Sequence, residues 1–212
     1  MQAIKAGLRF ALILPALFFS DASRSEDSLH GLMQSMQSDT AVRIAYQETR
    51  TLELIDQPWH GSGYMYSVPP DLMIKEQLQP ERILMGVKGD LTYYFDPVNK
   101  VRSQGEMDMS SPLSLNLAVF KAFVNADEAL LYRIYRVDFS AQKQGWVMTL
   151  KPKQSSESGF CIVISGPSGQ QADRIKVTQP DGDFSAFSLR RDATGEGIEA
   201  EVNRLYNELL GK

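Results

Sequence analysis

One cysteine, Cys161, stands among 212 residues, so no internal disulfide can form. It lies in the apolar run Phe160 to Ile164, where a small, buried and inert thiol is expected. Histidine is almost as scarce, with only His30 and His60, and the chain has no H-E-x-x-H, no C-x-x-C and no carboxylate-rich loop. Zinc sites take three or four such ligands, so no dedicated metal site is expected, and no cofactor is implied. A Ser-His-Asp triad has only His30 or His60 to draw on. Around His60 the text is Trp-His-Gly-Ser-Gly-Tyr rather than the G-x-S-x-G elbow of hydrolases. Gly166-Pro167-Ser168-Gly169 lacks the Lys-Ser/Thr that completes a phosphate loop and reads as a hairpin turn. Catalysis is therefore not expected, with a hydrolase using His60 as base the remaining enzymatic alternative.

Blocks of like charge are also missing. The 22 basic and 26 acidic residues are interspersed, which argues against a nucleic-acid partner and against a polybasic membrane anchor. Long apolar runs are missing everywhere but the start. There Lys5 and Arg9 precede the ten apolar residues Phe10 to Phe19, and Ser20-Asp21-Ala22 sets small residues at −3 and −1 of a cleavage site. A run this short falls below the roughly 20 residues that span a bilayer. A secretory signal cut after Ala22 is expected, giving residues 1–22 as signal and 23–212 as one exported domain. Loss of Lys5, Arg9 and Asp21 leaves a net charge of −5. Export without disulfides points to a bacterial periplasm.

What remains is rich in short strands. Leu29, Leu32, Met33 and Met36 follow helical spacing within Ser28 to Ser38. The period then becomes two, with Val42, Ile44 and Tyr46 alternating against Arg43, Ala45 and Gln47 and continuing weakly to Leu54. Turn signals separate further strands over 61–68, 72–78, 81–88, 91–95, 101–107, 132–141, 145–150, 160–165, 174–179 and 183–191. Connections of hairpin length cannot make parallel crossovers, so the sheet is antiparallel, and a sheet of so many strands curls. Ser111-Pro112 opens a helix from Leu113 to Val124 that is apolar almost all round, with Lys121 its only charge, and such a helix must be enclosed. Gly197 to Leu210 sets Ile198, Val202, Leu205 and Leu209 on one stripe of an amphipathic helix, on the outside or across an opening. The expected fold is mainly β (α+β): an open, strongly curved antiparallel half-barrel of 10–11 strands, with an enclosed plug helix and N- and C-terminal helices.

Methionines and tyrosines lie on or beside the strands (Met65, Met73, Met85, Met107, Met109, Met148; Tyr46, Tyr64, Tyr66, Tyr93, Tyr94). Methionine adapts to ligands of irregular shape, so the interior is either a solid core or a pocket for flexible chains.

Particular segments resemble the LolA-type family of periplasmic lipoprotein carriers. They are the amphipathic first helix and the strand reaching Ala45-Tyr46-Gln47-Glu48; Gly61-Ser62-Gly63-Tyr64-Met65-Tyr66 leading to Pro70-Asp71-Leu72; Asp90 to Pro97; the apolar stretch Leu113 to Val124 at the place of the family's lid; and Lys151-Pro152-Lys153. The resemblance implies an unclosed β-barrel covered by helices that shields acylated cargo from water. That cargo is a lipoprotein, a glycolipid or another acyl ester, passed as a monomer from an inner-membrane exporter to an outer-membrane acceptor. An envelope sensor of mislocalised lipoproteins is the alternative. Pro69 stands where the family has a lid-latching arginine, leaving Arg43, Arg50 or Lys75 to replace it. The residues expected to line the hydrophobic cavity are Ile44, Tyr46, Met65, Ile74, Ile83, Met85, Tyr93 and Phe95, with Leu117, Phe120 and Phe123 on the plug.

Overall fold

The structure, a computed structural model, describes residues 28–53, 57–107, 119, 122–123, 125–153 and 160–212. The expected signal segment and most of the expected plug helix, Leu117 and Phe120 included, lie outside these residues. Eleven strands form one antiparallel sheet: β1 Val42–Thr51, β2 Trp59–Val68, β3 Leu72–Gln79, β4 Ile83–Lys88, β5 Leu91–Asp96, β6 Val101–Glu106, β7 Tyr135–Gln142, β8 Gly145–Pro152, β9 Cys161–Pro167, β10 Arg174–Thr178 and β11 Phe184–Thr194. Their spatial order is β6-β5-β4-β3-β2-β1-β11-β10-β9-β8-β7. The chain thus starts at the centre, walks out to one edge, crosses to the other and walks back. The sheet is curved and open, with β6 and β7 at its two edges.

Three helices accompany it among the described residues: α1 Leu29–Met36, α2 Glu128–Ile134 and α3 Glu196–Leu210. Ser28 caps α1 by accepting a hydrogen bond from the Gly31 amide at 3.0 Å. Helix α2 was not expected, because a strand was read from Tyr132. Asp127 caps it through the Leu130 amide, and Glu128 complements its N-terminal dipole, so capping outweighs the β-prone Leu-Leu-Tyr text.

The register shows how the helices are distributed. Side chains directly opposite in neighbouring strands share a face. Tyr66, Ile74 and Gly86 fall on one face, and Ile44, Met65, Lys75 and Met85 on the other. Helix α3 covers the first face over β2–β5, burying Ile198, Val202, Leu205 and Leu209 against Tyr66, Leu72, Ile74, Leu84 and Tyr93. Helix α1 covers the opposite face over β8–β10, where Leu29, Leu32 and Met33 meet Trp146, Met148, Leu150, Ile162, Ile164, Ile175 and Val177 together with Val119 and Ala122. These are called the α3 face and the α1 face below. Cys161 corrects one expectation: it is half-exposed, because Phe160, Ile162 and Ile164 take the alternate positions that face the core.

Candidate functional site

On the α1 face, the packed cluster beneath α1 does not extend across β1–β4. Ile44, Met65, Met73, Ile83 and Met85 are half-buried there and belong to neither packed cluster among the described residues. Tyr46 and Val87 are buried beside them. The row Ile44–Met65–Lys75–Met85 runs straight across four strands. It is an apolar surface interrupted by one ammonium.

That ammonium is part of a polar knot. Glu48, only 2% exposed, accepts from Lys75 Nζ at 2.7 Å and from Arg50 Nε at 2.5 Å. To reach β1 from β3, Lys75 must cross β2, where Gly63 carries no side chain and the Trp59 indole covers Gly61. Gly63 is also obligatory for the backbone, since a Cβ there would lie 2.0 Å from the Glu76 carbonyl oxygen. The Lys75 ammonium lies 4.7 Å from the Tyr46 ring centre and 5.2 Å from that of Phe187, and the Arg50 guanidinium lies 4.3 Å from the Trp59 ring. Such cation–π contacts let a charge sit in a poorly hydrated place. Burial lowers the Lys75 pKa, opposed by the Glu48 carboxylate. The Tyr46 hydroxyl is buried and makes no hydrogen bond among the described residues, and burial pushes its pKa up.

The register divides the residues expected to line one cavity. Ile44, Tyr46, Met65, Ile83 and Met85 share the α1 face, with Phe123 half-buried against the α1 cluster. Ile74, Tyr93 and Phe95 lie on the α3 face instead, where α3 covers them. The Tyr206 hydroxyl donates to that of Tyr93 at 3.2 Å, and Phe95 lies beneath the Arg102 guanidinium at 4.1 Å. Alternation within one strand is a local property, but parity between strands depends on register, which local sequence does not show.

Helix α3 is clamped as well as packed. Arg82 forms a bidentate pair with Glu208, at 2.5 and 2.9 Å, and also donates to Glu76. Arg43 binds Asp192 and Glu201, and the Tyr66 hydroxyl donates to Glu201 at 3.0 Å. Arg102 donates to the Glu208 and Leu209 carbonyls that end the helix. Of the three cations considered as a replacement latch, Arg43 is therefore committed to the α3 face, whereas Arg50 and Lys75 face the apolar surface. Beside the end of α3 lies an open groove of about 890 Å³ bordered by Phe95, Arg102, Arg204 and Lys212.

His60 is exposed on the α3 side of β2, 3.2 Å from Thr49 Oγ1, beside a hollow of about 250 Å³. Among the described residues, no three His, Cys, Asp or Glu side chains are placed to hold a metal ion. The polar knot was missed as a unit, although Lys75 and Arg50 were singled out. Glu48 lies inside a quoted motif, but only pairing across three strands brings it to Lys75.

No family model matches the chain. It is similar to an outer-membrane lipoprotein carrier protein of Shewanella amazonensis, with 22% identity over 187 residues, covering 87% of this chain and 83% of that protein. Among solved structures, it is similar to a LolA superfamily protein from Nitrosomonas europaea, with 10% identity, 79% of this chain and 91% of that chain covered, and a TM-score of 0.46. A DUF1329 family protein from Desulfovibrio piger gives 12% identity, 78% and 91% coverage, and a TM-score of 0.45.

Proposed function

We propose that this chain, a divergent LolA-like protein, is a periplasmic carrier that shields the acyl chains of its cargo from water between the inner and outer membranes. The observation that carries this reading is the half-buried surface of Ile44, Met65, Met73, Ile83 and Met85, which no described packed cluster includes. A surface of this kind suits flexible hydrocarbon, because methionine repacks at little cost.

The physical need is large. Each exposed methylene costs about 0.8 kcal/mol, so one 16-carbon chain in water costs on the order of 10 kcal/mol. The carrier must offset most of that and still release its load. We assign Ile44, Tyr46, Met65, Ile83 and Met85 to the cargo surface, with Leu117, Phe120 and Phe123 from the stretch that follows β6. The cargo is a lipoprotein or another acylated molecule, received from an exporter and passed to an acceptor by a single carrier domain, residues 23–212, after removal of residues 1–22. Its activity is binding rather than catalysis.

Native mass spectrometry with lipid extraction, on protein purified gently from the periplasm, tests the reading. A co-purifying acylated molecule supports it and names the cargo. A clean apo mass, together with no uptake of a fluorescent acyl probe, would make the surface an ordinary part of the core.

A further inference from the structure

The polar knot sits at the margin of the apolar surface, and its hydrogen bonding is incomplete. Tyr46 is 2% exposed, yet its hydroxyl meets no partner among the described residues. A buried hydroxyl left without a partner is destabilising. The Lys75 ammonium carries three donors, of which one goes to Glu48. Among the described residues, its other close neighbours are the faces of Tyr46 and Phe187, which offer π density rather than lone pairs. Glu48 faces two cations, so the knot of Glu48, Lys75 and Arg50 holds one positive charge in excess. Arg191 is exposed opposite Ile44 on the same face, and the Glu76 carboxylate of the other face also acts on the Tyr46 hydroxyl. In the row next to Lys75 stand Met65 and Met85, which are apolar.

We propose that Lys75 and the Tyr46 hydroxyl together receive an anionic oxygen, so that the cargo is an acidic amphiphile: an acyl chain on Ile44, Met65 and Met85 with a carboxylate or phosphate at the knot. This rests on the carrier reading and narrows it, since a neutral acyl ester supplies only carbonyl oxygens. The anion completes the Tyr46 hydrogen bond and balances the excess charge, and Glu48 keeps Lys75 aimed across β2. Charge-assisted hydrogen bonds in a poorly hydrated place are about twice as strong as neutral ones, so recognition concentrates at the head group.

The test is displacement of Nile red, an uncharged probe, by palmitate, palmitoyl lysophosphatidic acid and methyl palmitate at neutral pH. One or both acids should displace it at a concentration at least about tenfold below that of the methyl ester, the worth of one hydrogen bond to a charged group. Which acid wins identifies carboxylate or phosphate as the head group. Tyr46→Phe removes only a hydroxyl without a partner, so it folds, and Lys75→Met keeps the side-chain volume. Each should shrink the acid-to-ester ratio, measured within the same variant, towards one. Equal binding of acids and ester by the native protein overturns the proposal, and so does a ratio that survives Tyr46→Phe. If neither Nile red nor any of the three ligands binds, the carrier reading itself fails and the proposal fails with it.

Discussion

Breaking the Glu48–Lys75 pair should destabilise the fold far more than breaking a surface ion pair. Lys75→Met keeps the length of the stem and removes the ammonium. Glu48, 2% exposed, is then left with Arg50 alone, whose side chain is 40% exposed. Stripping the sole partner from a buried charge costs about 3–5 kcal/mol, and because Arg50 remains the expected cost is about 2–3 kcal/mol. Glu48→Gln strands Lys75 in the same way and should cost a similar amount. The double variant removes both charges at the site, so its loss should fall short of the summed single losses by about 1–2 kcal/mol, the coupling between neighbours in one network. For a chain of this size each kcal/mol moves Tm by roughly 2–4 °C, so the single variants should melt about 4–12 °C lower. Chemical denaturation followed by circular dichroism, on all four proteins, measures the cycle. Single losses below about 0.5 kcal/mol, with no coupling, would mean that the pair behaves as a solvated one and that the buried-knot argument is wrong.

Leu205→Ala should cost about 2–5 kcal/mol in the same assay, because Leu205 is fully buried where α3 meets the sheet. Hydrogen bonds from Arg82 hold the Glu208 carboxyl below its ordinary 4.5. The stability this provides is therefore complete above that value and is lost as pH falls through the folded one. Glu208→Gln should flatten the acid limb of a stability-against-pH curve, and an unchanged limb would assign the acid loss to other carboxylates. Met85→Glu, at a half-buried position of the apolar surface, should abolish uptake of a fluorescent acyl probe while the far-ultraviolet circular dichroism stays native; undiminished uptake would remove β4 from the cargo surface. Gly63→Val should unfold or strongly destabilise the protein, since even a Cβ meets the Glu76 carbonyl oxygen at 2.0 Å.

Much of this architecture was legible because its causes are local. Period-two text marked the strands, Gly89-Asp90 and Asp96-Pro97 marked the turns, and the Ile198–Leu209 stripe marked the last helix. The Asp96 carboxylate shows why such a turn is readable, as it accepts from the Val98 and Asn99 amides that follow it. The division of the cavity residues was not legible, because it is a property of register. Met65 and Tyr66 are neighbours in sequence and lie on opposite faces, and only pairing partners show that Ile74 follows Tyr66 while Lys75 follows Met65. Both faces of β2 also carry large apolar or aromatic side chains, Tyr64 and Tyr66 on one and Met65 on the other, which blurs alternation. Glu48 is the clearest case of a hidden partner, since Lys75 lies across an intervening strand.

The order of the strands has a mechanical consequence. On the α1 face, the outward-walking meander β1–β6 and the inward-walking meander β7–β11 are joined by a single ladder, β1 with β11. Tyr46 and Glu48 stand on one side of that seam, and Phe187 and Leu189 on the other. A guest resting on the knot would straddle the seam and touch both halves. Its arrival would then add contacts across that ladder, and its departure would remove them. Loading and unloading should be read first in the amide exchange of β1 and β11, in the middle of the sheet and far from either edge.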